Sequence, residues 1–243
     1  MDSEFKRRMS PSLTLVTLAS LTPKEHHVYI EDENIKPINY TDTPDVVGIN
    51  VNVDTANGAI EIAKHYKKKG AIIVMGGIHA SAHPKSLTPF CDAICVGEAE
   101  LLWKNIINDI INKKVKKIYS NKNPVDTELI PIPNWNYISK KNYLYHNIIT
   151  TSRGCPFSCD FCYNSSDYMK SPFRNRSITH VLAEIKSLNT KHIMFIDDNL
   201  IGDVKWTKKL IKALKPLHLT WHGAVSANLV HHKELIEEMA EAG

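Results

Sequence analysis

The segment Thr150-Thr151-Ser152-Arg153-Gly154-Cys155-Pro156-Phe157-Ser158-Cys159-Asp160-Phe161-Cys162-Tyr163-Asn164 carries three cysteines at the spacing C-x3-C-x2-C. It continues from a short β-branched run, 147–151 (NIITT), that reads as a strand. The cysteines therefore sit on a loop just beyond a strand's C-terminal end, where ligand sites gather in α/β folds. Thiolates are the usual ligands of 4Fe-4S cubes, and three on one tight loop can hold three corners. No fourth cysteine lies nearby, so the fourth iron stays open to a substrate or cofactor. Structural zinc wants four ligands, commonly as two separated pairs, and the sequence offers no second pair at finger spacing. Cys91 and Cys95 lie far upstream, Cys95 within an apparent strand.

Downstream of the loop the pattern alternates. A helix is expected at 178–188, with Ile178, Val181, Leu182, Ile185 and Leu188 on its inner face. Strand 192–196 (HIMFI) ends at Asp197-Asp198-Asn199, helix 204–215 follows, then strand 219–225 (LTWHGAV) and helix 232–242. Three such units cannot close a barrel, and an open third strand leaves an unpaired edge. Either a partner covers that edge or the chain is a fragment of a longer protein, and the fragment is the expectation adopted here.

Upstream, helical and strand patterns also alternate. Residues 11–21 read as a helix, 27–31 (HVYIE) and 46–53 (VVGINVNV) as strands. In 56–69 Ala59, Ala63 and Tyr66 share one helical face, and Gly70 supplies the stop. Residues 71–75 (AIIVM) read as a buried strand running into Gly76-Gly77, and 93–96 as a strand leading into Gly97-Glu98-Ala99-Glu100. A helix over about 99–112 puts Leu102, Ile106 and Ile110 on one side. Strands alternating with helices of this length imply a parallel, Rossmann-like (flavodoxin-like) sheet with helices on both faces. Residues 117–145, with Pro124, Pro131 and Pro133 and no clear period, read as an extended linker. The expected divisions are thus 1–116, 117–145 and 146–243.

Composition narrows the function classes. The chain of 243 residues is 43% hydrophobic and 23% charged, ordinary values for a globular protein. A formal net charge of +4 does not argue for nucleic acid or an anionic membrane. The basic runs, Lys67-Lys68-Lys69 at the end of one expected helix and Lys113-Lys114 with Lys116-Lys117 after another, suit the helix dipole. No apolar stretch approaches the roughly 18 residues of a membrane span. The first ten residues (MDSEFKRRMS) lack the apolar segment of a signal peptide, so a cytoplasmic location is expected. Clustered cysteines in a reducing compartment bind metal more often than they form disulfides.

The cysteine loop resembles that of the radical S-adenosylmethionine (radical SAM) superfamily, whose hallmark is C-x3-C-x-aromatic-C, with Phe161 in the aromatic place. Ser152-Arg153-Gly154-Cys155-Pro156 also matches a common lead into that loop. The resemblance implies the first part of a partial TIM-like barrel, with Cys155, Cys159 and Cys162 on the cluster. It further implies S-adenosylmethionine bound to the open iron and split by one electron into methionine and a 5′-deoxyadenosyl radical. A reductase then supplies the electron, and the substrate is a small molecule or biosynthetic intermediate. Phe161 is implied to lie against the adenine, and Asp197 or Asp198 to meet the cofactor's amino group, as a carboxylate suits an ammonium. Asp and Asn are also favoured turn and cap residues, so Asp197-Asp198-Asn199 can equally be local structure. Near Ser226 relatives often carry an arginine that this chain lacks.

Residues 11–112 resemble the cobalamin-binding-like domain that precedes many such barrels. The matching pieces are Asp45-Val46-Val47-Gly48-Ile49, Gly76-Gly77-Ile78-His79-Ala80 and Val96-Gly97-Glu98-Ala99-Glu100. Gly76 and Gly77 would let backbone approach a flat ligand closely, or form a plain strand-to-loop turn. Two features depart from the pattern: no Asp-x-His-x-x-Gly occurs, and the domain's first strand is absent. Cobalamin either binds without a histidine ligand or the domain is vestigial, and His79 and His83 read as solvated loop residues. With cobalamin, methyl transfer is the expected reaction. Without it the chain is a cobalamin-independent radical enzyme, a metal-binding module, or a catalytically incomplete fragment that only binds a cluster.

Overall fold

The computed structural model describes residues 9–121, 123–169 and 171–243. The charged segment 1–8, from which the absence of a signal peptide is argued, lies outside them. The chain forms two compact units. The first holds residues up to 125 together with 130–142 and 167–169. The second holds 126–129, 143–166 and 171–243.

In the first unit α1 (Leu13–Leu21) precedes β1 (Val46–Asn50), α2 (Ala56–Lys68), β2 (Ile72–Gly76), α3 (Ile78–Ala82), α4 (Pro84–Leu87), β3 (Ala93–Val96), α5 (Trp103–Ile111) and β4 (Ile118–Ser120). All four strands are parallel in the order β1-β2-β3-β4. Side chains alternate across a strand, so β2 feeds both layers. Ile73 and Met75 pack with Ala59, Ala63 and Tyr66 of α2, while Val74 packs with Trp103 and Ile106 of α5 and Tyr119 of β4. A strand apolar on both faces needs cover on both, which is why 71–75 reads as a continuous apolar run.

Two expectations fail in this unit. Residues 27–31 form no strand; instead Tyr29 donates to Asp42, and the Tyr66 hydroxyl donates to Asp42 at 2.7 Å and to the Asn39 carbonyl at 2.8 Å. The segment is thus tied down by side chains rather than by a ladder, and alternation alone cannot tell the two apart. Residues 118–120, read as linker, are β4, with Ile94, Cys95 and Val96 facing Ile118, Tyr119 and Ser120. Three residues are too few to show a period. The rest of that stretch buries Val125, Ile130, Trp135 and Tyr143, so its prolines sit in packed chain rather than in a solvated linker.

Gly77 has φ +102°, a region side chains rarely adopt. A Cβ there would stand 2.5 Å from the Asn50 Oδ1 and 2.8 Å from the Val51 carbonyl. Gly77→Ala is therefore expected to destabilise the chain by about 3 kcal/mol, from strain plus overpacking. Urea unfolding of the variant checks it. Gly76 differs, because a Cβ there meets Cys95 at an ordinary 3.6 Å.

The second unit contains β5 (Ile148–Ile149), β6 (Ser152–Arg153), β7 (Arg174–Asn175), α6 (Ile178–Leu188), β8 (His192–Phe195), α7 (Val204–Leu214), β9 (Thr220–Gly223) and α8 (Lys233–Glu241). β5, β8 and β9 form a parallel sheet in that order, with Ile149 opposite Phe195 and Phe195 opposite Gly223. α6, α7 and α8 follow β5, β8 and β9 in chain order, and the strands are shorter than their apolar runs. Val181, Ile185 and Leu188 of α6 and Leu210, Ile211 and Leu214 of α7 are buried, as are Ile193 and Phe195 of β8. Ser177 and Asp203 cap α6 and α7, accepting from His180 N–H and Trp206 N–H. On the outer side of β9, Trp221 donates its backbone N–H to Gly243 at 2.9 Å.

Candidate functional site

The cysteine loop follows the C-terminal end of β5 and meets that of β8, where the Tyr163 hydroxyl reaches Asp198. The chain leaves β5 through Thr150 and Thr151, enters β6, makes the excursion 154–173, and returns as β7. β6 and β7 pair antiparallel, Ser152 with Asn175 and Arg153 with Arg174, so a two-residue ladder closes the base of the loop. Gly154 starts the excursion at φ +76°, turning the chain between the ladder and Cys155. Gly202, after β8, has no Cβ to keep off Phe173 and Pro156, whose atoms lie 2.5 Å and 3.1 Å from where it would be. The loop thus packs onto the β8–α7 turn.

All three loop thiols are free; Cys155 and Cys162 are half-buried and Cys159 is exposed. Cys162 N–H donates to the Cys159 carbonyl at 3.0 Å, so a single turn of backbone runs between the second and third cysteines. Among the described residues no three His, Cys, Asp or Glu side chains stand gathered as a metal site. The thiols are therefore not pre-assembled. Their chemistry nonetheless fits a cluster: three free thiols, none of them fully buried, on one loop. Cys91 and Cys95 fit no such role. They are 0% and 3% exposed, and burial pushes Cys95 up to about 12, keeping it a neutral thiol.

The remaining candidates from the sequence divide sharply. Phe161 is 94% exposed, its ring projecting from the loop. Asp198 is exposed and accepts from the Tyr163 hydroxyl at 2.8 Å, while burial and then this bond raise the Tyr163 phenol above its ordinary value. Asp197 is buried, and its Oδ1 accepts from Thr151 N–H at 2.8 Å, Ser152 N–H at 2.6 Å, Ser152 hydroxyl at 2.6 Å and Thr151 hydroxyl at 3.1 Å. Burial raises its carboxyl against the pull of those donors. Asn199 is buried too, its Oδ1 accepting from Ser226 N–H at 3.1 Å and so joining the ends of β8 and β9.

Sequence reading misses Arg176 and Glu184. Both are 2% exposed and they meet at 2.6 Å. Arg176 also gives its Nη1 to the Thr150 carbonyl at 2.6 Å and its backbone N–H to the Thr151 carbonyl at 2.8 Å. Glu184, three residues after Val181 and four before Leu188, breaks an otherwise apolar face of α6, which is the one local signal that it needed a buried partner.

In the first unit, Asn50, Gly76-Gly77 and Gly97 lie at the C-terminal ends of β1, β2 and β3. The Ser81 hydroxyl accepts from Gly97 N–H at 2.9 Å, and His79 N–H donates to the Val51 carbonyl at 3.0 Å. The His79 ring contacts the Ser86 hydroxyl at 3.3 Å. Glycine backbone at two neighbouring strand ends, those of β2 and β3, gives a surface that a flat ligand can approach.

Two family models match the chain: a B12 binding domain over residues 19–107 and the Radical SAM superfamily over 149–243. Bacteriochlorophyllide d C-8(2)-methyltransferase of Chlorobaculum tepidum is 29% identical, aligned over 100% of this chain and 58% of its own length. Bacteriochlorophyllide d C-12(1)-methyltransferase of the same organism is 30% identical, over 97% of this chain and 54% of its own length. The chain thus spans little more than half of these relatives. In fold it is similar to the radical S-adenosylmethionine methyltransferase TsrM of Kitasatospora setae, solved with cobalamin and a 4Fe-4S cluster bound. That match has a TM-score of 0.66 at 15% identity and covers 87% of this chain and 51% of the other.

Proposed function

We propose that the chain, which matches the Radical SAM superfamily over residues 149–243 and a B12 binding domain over residues 19–107, is a cobalamin-dependent radical SAM methyltransferase. The observation that carries the reading is the trio of free thiols at C-x3-C-x2-C, on a loop braced at the C-terminal ends of β5 and β8. Its support in kind comes from relatives whose names are those of methyltransferases.

In this reading Cys155, Cys159 and Cys162 hold three irons of a 4Fe-4S cluster. When bound, that cluster and cobalamin supply reductive cleavage of S-adenosylmethionine to methionine and a 5′-deoxyadenosyl radical, and a methyl carrier. The protein's work is to bind, orient and exclude water. Phe161 offers an exposed ring against which an adenine can stack. Asp198 offers a carboxylate for an ammonium group. Gly76, which its own neighbours do not require to be glycine, lets a flat corrinoid come close to the end of β2, and Gly77 holds the turn that presents it. The methyl acceptor is a small molecule, a reductase supplies the electron, and the location is cytoplasmic, where reduced thiols persist. Among the described residues no helix is long and apolar enough to cross a membrane.

The missing Asp-x-His-x-x-Gly favours a second reading, radical chemistry without cobalamin. One experiment separates the two. The chain is loaded anaerobically with iron, sulfide and hydroxocobalamin, then given dithionite and S-adenosylmethionine. Bound cobalt with a corrin absorbance, together with 5′-deoxyadenosine, is the expected result. Deoxyadenosine without cobalt supports the second reading, and neither product nor cobalt contradicts both.

A further inference from the structure

The backbone of Thr150, Thr151 and Ser152 ends a strand and opens the cysteine loop, yet it is held at both its donors and its acceptors by two buried charges. Asp197 takes the N–H groups of Thr151 and Ser152 and both hydroxyls. The Arg176 guanidinium gives to the Thr150 carbonyl and its backbone N–H to the Thr151 carbonyl, and the guanidinium charge is met by Glu184. A strand end ordinarily leaves such groups to water. Here the fixed segment lies three residues before Cys155. A charged acceptor that receives four donors holds its partners far more firmly than a turn does.

We infer that Asp197 is the positioning residue of the cysteine loop, acting with Arg176 to fix Thr150–Ser152 and thereby the direction in which Cys155 leaves the sheet. This rests on the proposed cluster site, and it gives Asp197 and Asp198 separate tasks. Asp197 holds the start of the loop from inside the sheet, whereas Asp198 meets Tyr163, just past the last cysteine, at the surface. Outer contacts of this kind orient metal ligands and set how tightly the metal is kept.

The test uses the full chain carrying Asp197→Asn, which keeps the shape but turns an N–H donor pair toward donors. Ser152→Ala, which removes a single hydroxyl, is the milder companion, and Glu237→Gln, at an exposed position of α8, the control. In the metal-free chain, amide exchange at Thr151 and Ser152 is expected to quicken about 10- to 100-fold in Asp197→Asn and less in Ser152→Ala, with the amides of β8 and β9 unchanged. After anaerobic loading, iron is expected to leave to a chelator about tenfold faster in Asp197→Asn than in the unsubstituted chain or Glu237→Gln. Exchange that rises evenly across the second unit means general destabilisation and overturns the inference. So does unchanged iron release with weakened binding of S-adenosylmethionine, which would make Asp197 a direct cofactor contact. If the unsubstituted chain takes up no iron, the proposed cluster site fails, while the exchange arm still decides whether Asp197 holds the loop.

Discussion

Cys159→Ala is expected to reduce iron retained after anaerobic reconstitution to background while leaving the unfolding of the metal-free chain unchanged. The two halves of that expectation have different causes. A cluster with three protein ligands loses a third of its attachment with one thiolate, and no nearby thiol can replace it. Cys91 and Cys95 cannot reach out of their core, and as buried neutral thiols they are poor ligands. The metal-free fold, by contrast, draws nothing from an exposed side chain at this position, and surface substitutions usually fall within about 0.5 kcal/mol. Iron content by absorbance and colorimetry, set beside urea unfolding of the apo chain, checks both halves. Cys91→Ser serves as the contrast: it should keep its iron and lose stability, because it puts a hydroxyl into a full core.

Arg176→Met is expected to destabilise the chain by about 3–5 kcal/mol, the cost of leaving a buried charge without its partner. Glu184, 2% exposed and 2.6 Å from the guanidinium, would lose its ion-pair partner and keep only the weaker pull of Arg153. Its carboxyl already stands above the ordinary range because burial outweighs the help from Arg176. Removing the arginine drives it further up, so the variant's glutamate binds a proton at higher pH. The sign follows: relative to the original chain, the variant's deficit shrinks as pH falls through the raised glutamate pKa, because a neutral acid tolerates the apolar site. The double substitution Arg176→Met, Glu184→Leu is expected to recover most of the loss, since a buried ion pair contributes little over apolar groups of similar size. What it does not restore is the bond to the Thr150 carbonyl, so a residual deficit of about 1 kcal/mol is expected. A double-mutant cycle by urea unfolding measures each part.

Much of this architecture is legible residue by residue. Ala59, Ala63 and Tyr66 announce the buried face of α2, and Val181, Ile185 and Leu188 that of α6, because a helix repeats its contacts every three or four residues. The cysteine spacing is equally plain, since it needs no partner elsewhere in the chain. The parts that stay hidden are those whose meaning lies at a distance. β6 and β7 are two residues each and exist only because Ser152 meets Asn175. β4 is three residues long and exists because Ile94 has an open neighbour. Residues 27–31 show a strand's alternation but pair with no strand among the described residues. Asp197 and Asp198 look alike in sequence, and only the fold puts one beneath Thr151 and leaves the other at the surface. A charged residue's burial is set by its partners, and those of Asp197 lie some 45 positions away.

The central claim is that the cysteine loop holds a cluster with one iron open to S-adenosylmethionine. The most direct test is EPR of the reduced, anaerobically reconstituted chain, recorded with and without S-adenosylmethionine. The account predicts a 4Fe-4S signal that changes on adding S-adenosylmethionine and is absent from Cys159→Ala. A chain that takes zinc instead, or a cluster whose signal is indifferent to S-adenosylmethionine, would contradict it.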